Sequence, residues 1–207
     1  MITVHHLENS RSQRVLWMLE ELGLPYEIKR YERNKATMLA PPELKAVHPL
    51  GKSPIIDHDG RIIAETGAIA EYLVELADGR LGAPPHRDAA LRYRFFLHYA
   101  EGSMMPPLLL NLVLSRIPLF GKRIVKRIQP MIDIHLDYVE AELAQRPWFA
   151  GDTMTAADIM MSFPLEAARA RGGLDASRPH TIAWLDKIHA RPAYQTALAK
   201  GGPYAYA

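Results

Sequence analysis

The stretch PIIDHDGRIIAETGAIAEYLVELA (54–77) contains two short β-rich runs followed by an amphipathic segment. The two runs flank Asp59–Gly60, a dipeptide that favours the tight turn of a β-hairpin. Apolar side chains then recur at helical spacing, which predicts a helix over 65–77. The stretch therefore predicts an antiparallel hairpin that leads directly into a helix.

The residues before this stretch alternate between strand and helix patterns. ITVHHL (2–7) and YEIKRY (26–31) predict strands, and residues 14–22 between them have helical spacing that ends at Gly23. ATMLAPPELKAV (36–47) predicts a weaker helix. The order β-α-β-α-β-β-α implies a parallel pair of strands with a helical crossover and an antiparallel edge. Small α/β domains with this order are thioredoxin-like.

A Gly- and Pro-rich segment, DGRLGAPPHRD (78–88), separates this α/β part from a remainder without strand patterns. We therefore predict a thioredoxin-like domain at 1–78, a linker at 79–87 and an all-helical domain at 88–207. Helices are predicted over four ranges, 88–115, 121–145, 155–170 and 180–199. Pro106–Pro107 is expected to kink or break the first of these helices.

The segment GDTMTAADIMM (151–161) carries a helix-start signal. Thr155 and Asp158 have the spacing of a capping box, in which each side chain binds the other residue's free backbone N–H. Both residues are therefore predicted to be structural.

Composition indicates an ordinary globular protein: the 207 residues are 48% apolar and 23% charged, with a formal net charge of +2. Such a charge is too small for a nucleic-acid binder unless it is clustered. The densest cluster, GKRIVKR (121–127), has helical periodicity and is interpreted as a solvated helix face. The longest apolar stretch, MMPPLLLNLVL (104–114), is too short to span a bilayer. We expect neither a nucleic-acid nor a membrane partner.

The absence of cysteine removes disulfides, a thiolate nucleophile from the chain and zinc–thiolate sites. The start, MITVHHLENS, lacks the basic and apolar segments of a signal peptide. The chain is therefore expected to be cytoplasmic, and no pattern in the sequence predicts a metal site.

Three good N-cap residues, Asn9, Ser10 and Ser12, lie in ENSRSQRVLWM (8–18), between the first strand and the first helix. Two interpretations are open at this point. The side chains either cap the helix or also form part of a binding site.

In combination, the motifs of this chain resemble those of the soluble glutathione transferases, over nearly its whole length. The motifs are SRSQRVLWMLEELGLPYE (10–27), HPLGKSPII (48–56), DGRIIAETGAIAEYL (59–73) and GDTMTAADI (151–159). Among subfamilies, the sequence is most similar to bacterial and fungal transferases with a serine-type, theta-like N-terminal loop. The lack of cysteine argues against the omega- and beta-like branches.

The resemblance implies that the first domain binds glutathione and that the protein conjugates the glutathione thiolate to hydrophobic electrophiles. Glutathione-dependent peroxidase activity would use the same thiolate. Glutathione is then a co-substrate, no cofactor is implied, and the family's assembly is a homodimer. The alternative is a non-catalytic, transferase-like module that binds ligands or protein partners, since some relatives on this scaffold have lost the sulfur-activating residue.

The resemblance also implies a set of glutathione contacts. Pro54 matches the family's cis-proline, which would present the backbone of Ser53 to the cysteinyl unit like an added strand. Thr66, at a helix N-terminus, would bind the γ-glutamyl carboxylate, and Glu65 would pair with its ammonium. Lys52 would reach the glycyl carboxylate.

One position departs from the family's pattern. Where theta-like relatives often carry a further basic side chain for the glycyl unit, this sequence has Leu39. That contact is therefore either missing or supplied by Lys35 or His48.

The same comparison aligns Ser10 with the catalytic serine of the theta-like pattern. The Ser10 hydroxyl would donate a hydrogen bond to the glutathione sulfur, and the N-terminus of the first helix would stabilise the negative charge on that sulfur. Asn9 and Ser12 are the alternative catalytic candidates, with Ser12 expected to lie buried in the first turn or in solvent.

Overall fold

The computed structural model describes residues 1–119 and 121–206, which form two compact units. The first unit contains residues 1–82 and 189–205, and the second contains residues 83–188 together with Tyr206. The end of the predicted helical domain at residue 207 lies outside the described residues.

The first unit is built on a four-stranded sheet. Its strands are β1 (Ile2–Leu7), β2 (Tyr26–Tyr31), β3 (Ile55–His58) and β4 (Arg61–Ala64), in the spatial order β2-β1-β3-β4. β1 is parallel to β2, whereas β3 is antiparallel to both β1 and β4. The predicted parallel pair and the predicted hairpin are therefore both present in one thioredoxin-like sheet.

Helices α1 (Ser12–Leu22), α2 (Leu44–Val47) and α3 (Thr66–Leu76) connect and follow these strands. The crossover helix α1 is secured to the core by fully buried side chains such as Trp17. The predicted helix over 36–47 is reduced to the single turn of α2. Its first half is not helical, because Pro41 and Pro42 lack the N–H groups that helical hydrogen bonds require. Each proline also disfavours helical geometry in the residue that precedes it.

The second unit is entirely helical among its described residues. It comprises α4 (Arg87–Tyr99), a π-helical segment (Ala100–Met104), α5 (Met105–Leu114), α6 (Gly121–Leu143), α7 (Ala156–Arg171) and α8 (Pro179–His189). The predicted disturbance at Pro106–Pro107 takes the form of the π-helical segment just before the prolines. A widened turn there accommodates two residues that cannot donate backbone hydrogen bonds.

The prediction of one helix over 180–199 is wrong, because two helices occupy this range. α8 ends at His189, and α9 (Pro192–Gly201) begins at Pro192, after Arg191 with extended backbone angles (φ −69°, ψ 134°). A proline disfavours helical geometry in the residue before it but suits the first position of a new helix.

α9 also packs with the first unit rather than with the predicted helical domain at 88–207. The Arg191 guanidinium forms two hydrogen bonds to the Glu21 carboxylate on α1, at 2.5 and 2.8 Å. The rings of Trp17 and Tyr194 meet edge to face with their centroids 5.4 Å apart. Gly201 allows close approach, since a Cβ atom there would lie 2.6 Å from Gln13 Oε1.

The predicted capping box at the start of α7 is confirmed. Asp158 accepts hydrogen bonds from the backbone N–H groups of Phe149 and Thr155 at 3.0 and 2.9 Å, and from the Thr155 hydroxyl at 3.1 Å. Burial raises the pKa of Asp158 to about 6, although these donors favour its ionised form. Among the described residues, no helix combines the length and apolar character that crossing a bilayer requires.

We predict that Thr155→Ala lowers the free energy of unfolding by about 1 kcal/mol or more, because it removes one half of the capping box. Urea denaturation followed by circular dichroism would measure this loss. Thr153→Ala is the matched control, since Thr153 is exposed two residues earlier. Equal stability of the two variants would contradict the structural role of the box.

Candidate functional site

The strand register brings most of the predicted site residues to one end of the sheet. His5 near the end of β1 pairs with Ile55 at the start of β3, and Ile55 pairs with Ala64 at the end of β4. The chain therefore leaves β1, enters β3 and leaves β4 at the same end. The segments at these three points carry the predicted residues Ser10, Ser53–Pro54 and Glu65–Thr66.

The peptide bond between Ser53 and Pro54 is cis, as the family resemblance implied. The Ser53 hydroxyl donates a hydrogen bond to the backbone carbonyl of His5 at 2.9 Å. Pro54 is buried, whereas Lys52 is exposed. The loop before β3 is thus tied to β1 and carries an exposed cationic side chain.

Glu65 has an unusual backbone conformation that the sequence did not predict. Its φ of 69° and ψ of 121° lie outside the regions that non-glycine residues favour. Its carbonyl accepts the Ile69 N–H at 2.9 Å, and buried Thr66 begins α3. Such conformations cost on the order of 1–3 kcal/mol and cluster at functional sites. The junction of β4 and α3, where Glu65 and Thr66 are predicted to bind glutathione, is thus a strained point of the backbone.

Ser10, Ser12 and His6 form a buried chain of hydrogen bonds at the end of β1. The two serine hydroxyl oxygens are 2.7 Å apart, and the Ser12 hydroxyl lies 2.8 Å from His6 Nδ1. The Ser10 hydroxyl also accepts the backbone N–H of Ser12 at 3.2 Å. Ser10 therefore helps to cap α1, and the interpretation of the loop as part of a binding site stays a prediction.

Ser12 is fixed to the end of β1 and is not in solvent. Its hydroxyl oxygen accepts the backbone N–H of Leu7 at 3.2 Å, and its exposed fraction is 0%. The single Ser12 proton has three acceptors in reach, namely the Leu7 carbonyl, His6 Nδ1 and Ser10 Oγ. Ser12 is thus positioned to hold Ser10 in place.

The side chain of Asn9 is engaged with the end of the chain. Its amide oxygen accepts the backbone N–H of Ala205 at 2.8 Å, and its own backbone has a positive φ of 50°. The structure therefore places only the serines of the three catalytic candidates in the hydrogen-bonded chain with His6.

His6 is a site residue that sequence reasoning did not single out. Burial lowers its pKa to about 4, with the nearby positive charge of Arg30 as a further cause, while a hydrogen bond to the backbone of Gly201 opposes the shift. The ring is therefore neutral at neutral pH. Alternation along β1 already implied that His5 and His6 face opposite ways, but not that a serine would reach the His6 ring.

The residues considered for the glycyl unit differ in exposure. Leu39 and Lys35 are exposed, and His48 accepts the backbone N–H of Leu50 through Nδ1 at 3.4 Å.

Within residues 1–119 and 121–206, no cluster of three or more histidine or acidic side chains could hold a metal ion.

Comparison with known proteins identifies the family. The Glutathione S-transferase N-terminal domain family matches residues 10–76, and the Glutathione S-transferase C-terminal domain family matches residues 109–192. The chain is 38% identical over 215 residues to Glutathione S-transferase 3 of Schizosaccharomyces pombe, covering 97% of this chain and 88% of that protein. The chain belongs to the glutathione S-transferase family.

Further relatives agree on activity and fold. Glutathione S-transferase 1 of Saccharomyces cerevisiae is 33% identical, covering 97% of this chain and 95% of that protein. A glutathione S-transferase crystal structure from Actinobacillus pleuropneumoniae superposes with a TM-score of 0.89 at 35% identity, covering 100% of this chain and 95% of that one. This transferase therefore acts on glutathione and combines a thioredoxin-like unit with a helical unit.

We predict that the neutral His6 ring makes stability depend on pH. Because its pKa is about 4 in the folded chain and about 6.5 when unfolded, the unfolded chain binds the proton first as the pH falls. The contribution of this group to the free energy of unfolding is complete above pH 6.5. It falls by about 3 kcal/mol as the pH drops towards 4. Urea denaturation at several pH values would measure it.

His6→Gln, which cannot titrate, is the matched comparison and should lose less stability than the parent over this interval. Ring nitrogen shifts of His6 in the parent, followed by NMR, provide a second measurement. A ring that protonates near pH 6.5 in the folded protein would contradict the prediction.

Proposed function

We propose that this transferase is of the serine type and that the Ser10 hydroxyl donates a hydrogen bond to the sulfur of bound glutathione. The observation that carries the proposal is the position of Ser10 Oγ at the start of α1, within 2.7 Å of a second buried hydroxyl. The thiolate is the nucleophile in this chemistry, so a donor at the sulfur favours the reactive form.

The neighbours of Ser10 would make it a better donor. Its oxygen accepts the N–H of Ser12 and can also accept the Ser12 hydroxyl proton when its own proton turns to the sulfur. Hydrogen bonds in such chains polarise one another, particularly where water is excluded. The N-terminal end of the 11-residue helix α1 adds a partial positive charge.

The remaining proposed contacts distribute the tripeptide along the site end of the sheet. Thr66, at the N-terminus of α3, would bind the γ-glutamyl carboxylate, and exposed Glu65 would pair with the ammonium. The backbone of Ser53 would pair with the cysteinyl unit. Lys52 would reach the glycyl carboxylate, with Lys35 or His48 as the second basic contact.

In the proposed reaction, the sulfur attacks an electrophilic carbon of an apolar substrate and forms a carbon–sulfur bond. The bond to the leaving group breaks with its electron pair, or an activated double bond accepts the pair. The chain contributes sulfur ionisation and positioning to this step. We place the reaction in the cytoplasm, which the lack of cysteine supports.

We predict that Ser10→Ala raises the pH at which bound glutathione ionises and lowers the conjugation rate near neutral pH about 100-fold, as loss of one donor to a developing anion does. Thiolate absorbance titrated against pH and steady-state kinetics with a chlorinated aromatic electrophile would measure both effects.

Ser177→Ala, an exposed serine in the turn before α8, is the control and should behave like the parent. Retention on immobilised glutathione separates loss of ionisation from loss of binding. An unchanged titration in Ser10→Ala would move the role to Ser12, Asn9 or the backbone. Failure of the parent to bind glutathione would instead favour the non-catalytic alternative.

We also propose a two-fold homodimer, which the apolar surface of the second unit supports. Leu91 and Phe95 on α4 and Tyr138 on α6 are 52%, 46% and 37% exposed in the single chain. The Phe95 and Tyr138 rings contact each other with centroids 6.0 Å apart, so this surface is continuous across two helices. Large exposed apolar patches commonly mark interfaces between proteins.

Light scattering is expected to give twice the chain mass of 23.3 kDa. Phe95→Asp should shift the mass towards the monomer, because it places a charge in the apolar surface. Leu119→Asp, at a 97% exposed position on the turn before α6, is the control and should leave the dimer intact. A monomeric parent would contradict the proposal.

A further inference from the structure

The turn between α5 and α6 concentrates positive charge. No acidic residue occurs between Glu101 and Asp133, whereas this interval contains five lysines and arginines. The net charge of the whole chain is only +2, so the remainder of the molecule is net negative. We call residues 109–119 and 121–127 the hairpin end.

The described cations of the hairpin end face solvent and are not neutralised. Arg116, Arg123, Lys126 and Arg127 are all exposed, and no ion pair to any of them occurs in the described part of the chain. Elsewhere in the same unit, arginines such as Arg92 and Arg178 do pair with carboxylates. The hairpin end therefore has an unbalanced positive field.

Exposed apolar side chains occur in the same helix-turn-helix segment as these cations. Leu109, Leu110 and Val113 follow one side of α5, opposite the buried Leu108 and Asn111. The row continues into the turn with Ile117 and Leu119. The exposed fractions of these five aliphatic side chains range from 40% to 97%.

We propose that the hairpin end docks on an anionic phospholipid surface. Aliphatic side chains that enter the headgroup boundary, flanked by lysines and arginines, are the combination that binds negatively charged membrane interfaces. The contact is peripheral, because no described helix could span a bilayer. Such docking would be separate from the transferase reaction. The basic cluster would then be more than a solvated helix face, and a membrane would be a partner, contrary to both expectations from the sequence.

Two other occupants fit the observations less well. A second copy of the chain would set the same cations against each other, and like charges in contact are unfavourable. A nucleic acid would pair with the cations, but sequence-tolerant binding to single strands uses aromatic side chains, whereas the five described apolar side chains of this row are aliphatic. The proposed dimer surface is also distant, since Tyr138 lies roughly 22 Å along α6 from Arg123 at 1.5 Å per residue.

The test is flotation of the full chain with vesicles of phosphatidylcholine alone or with 30% phosphatidylserine, at about 0.1 M salt. We expect binding only to the anionic vesicles and release at high salt, because salt screens the attraction. Absence of binding to the phosphatidylserine vesicles would overturn the proposal.

Variants then locate the surface. The triple variant Arg123→Ala, Lys126→Ala and Arg127→Ala should require about 100-fold more anionic lipid, since each cation near such a surface strengthens binding roughly fivefold. Ile117→Ser with Leu119→Ser should weaken binding about tenfold without changing the charge. The matched control removes three exposed cations elsewhere, by Arg61→Ala, Arg87→Ala and Arg94→Ala, and should bind nearly as the parent does.

Each further outcome bears on the proposal. Retention on immobilised glutathione shows that a variant is folded, independently of any lipid contact. Lipid binding that all variants keep would overturn the proposal. Tighter binding to an oligonucleotide than to vesicles, unaffected by the serine variants, would assign the surface to nucleic acid. A change of oligomeric mass in the hairpin-end variants would assign it to contacts between copies.

Discussion

The antiparallel pairing of β3 with both β1 and β4 is the constraint on which the proposed glutathione site depends. It brings the end of β1, the start of β3 and the end of β4 to the same end of the sheet. The segment at each of these three points contributes a different part of the proposed site. A shift of one residue in this register would turn every side chain of β1 to the opposite face. His6 would then leave the serines, and the loop before β3 would lose its bond to the His5 carbonyl.

The hydrogen-bonded chain of His6, Ser12 and Ser10 shows how polar groups are kept at the edge of a core. Burial disfavours an imidazolium, so the ring stays neutral and can accept as well as donate. Each member has a partner, and Ser12 contacts both the strand before it and the serine that follows that strand. A satisfied network of this kind is rigid, and the proposed contact of Ser10 with the glutathione sulfur would require such rigidity.

Local patterns predicted most of the fold because they report local chemistry. The Asp59–Gly60 turn, the alternating strands and the Thr155–Asp158 box each depend on residues within a few positions of one another. The two misassignments concern the last helices, the first because of a local proline and the second because of contacts distant in sequence. Pro192 divided the last helix, and packing on α1 placed α9 in the first unit. The contact of Ser12 with His6 and the strained backbone of Glu65 likewise follow from tertiary geometry, which residue types and spacing do not encode.

The placement of α9 makes the first unit discontinuous in sequence. Its α1 surface is complete only when Tyr194 and Gly201 are in position, almost at the end of the chain. A ribosome releases the helical unit before it releases α9, so the first unit can be completed only after the helical unit has been made. Until then, the face of α1 that holds Trp17 remains open to water and to chaperones. A stop codon before α9 would leave the α1 surface of the first unit exposed, even if its sheet formed correctly.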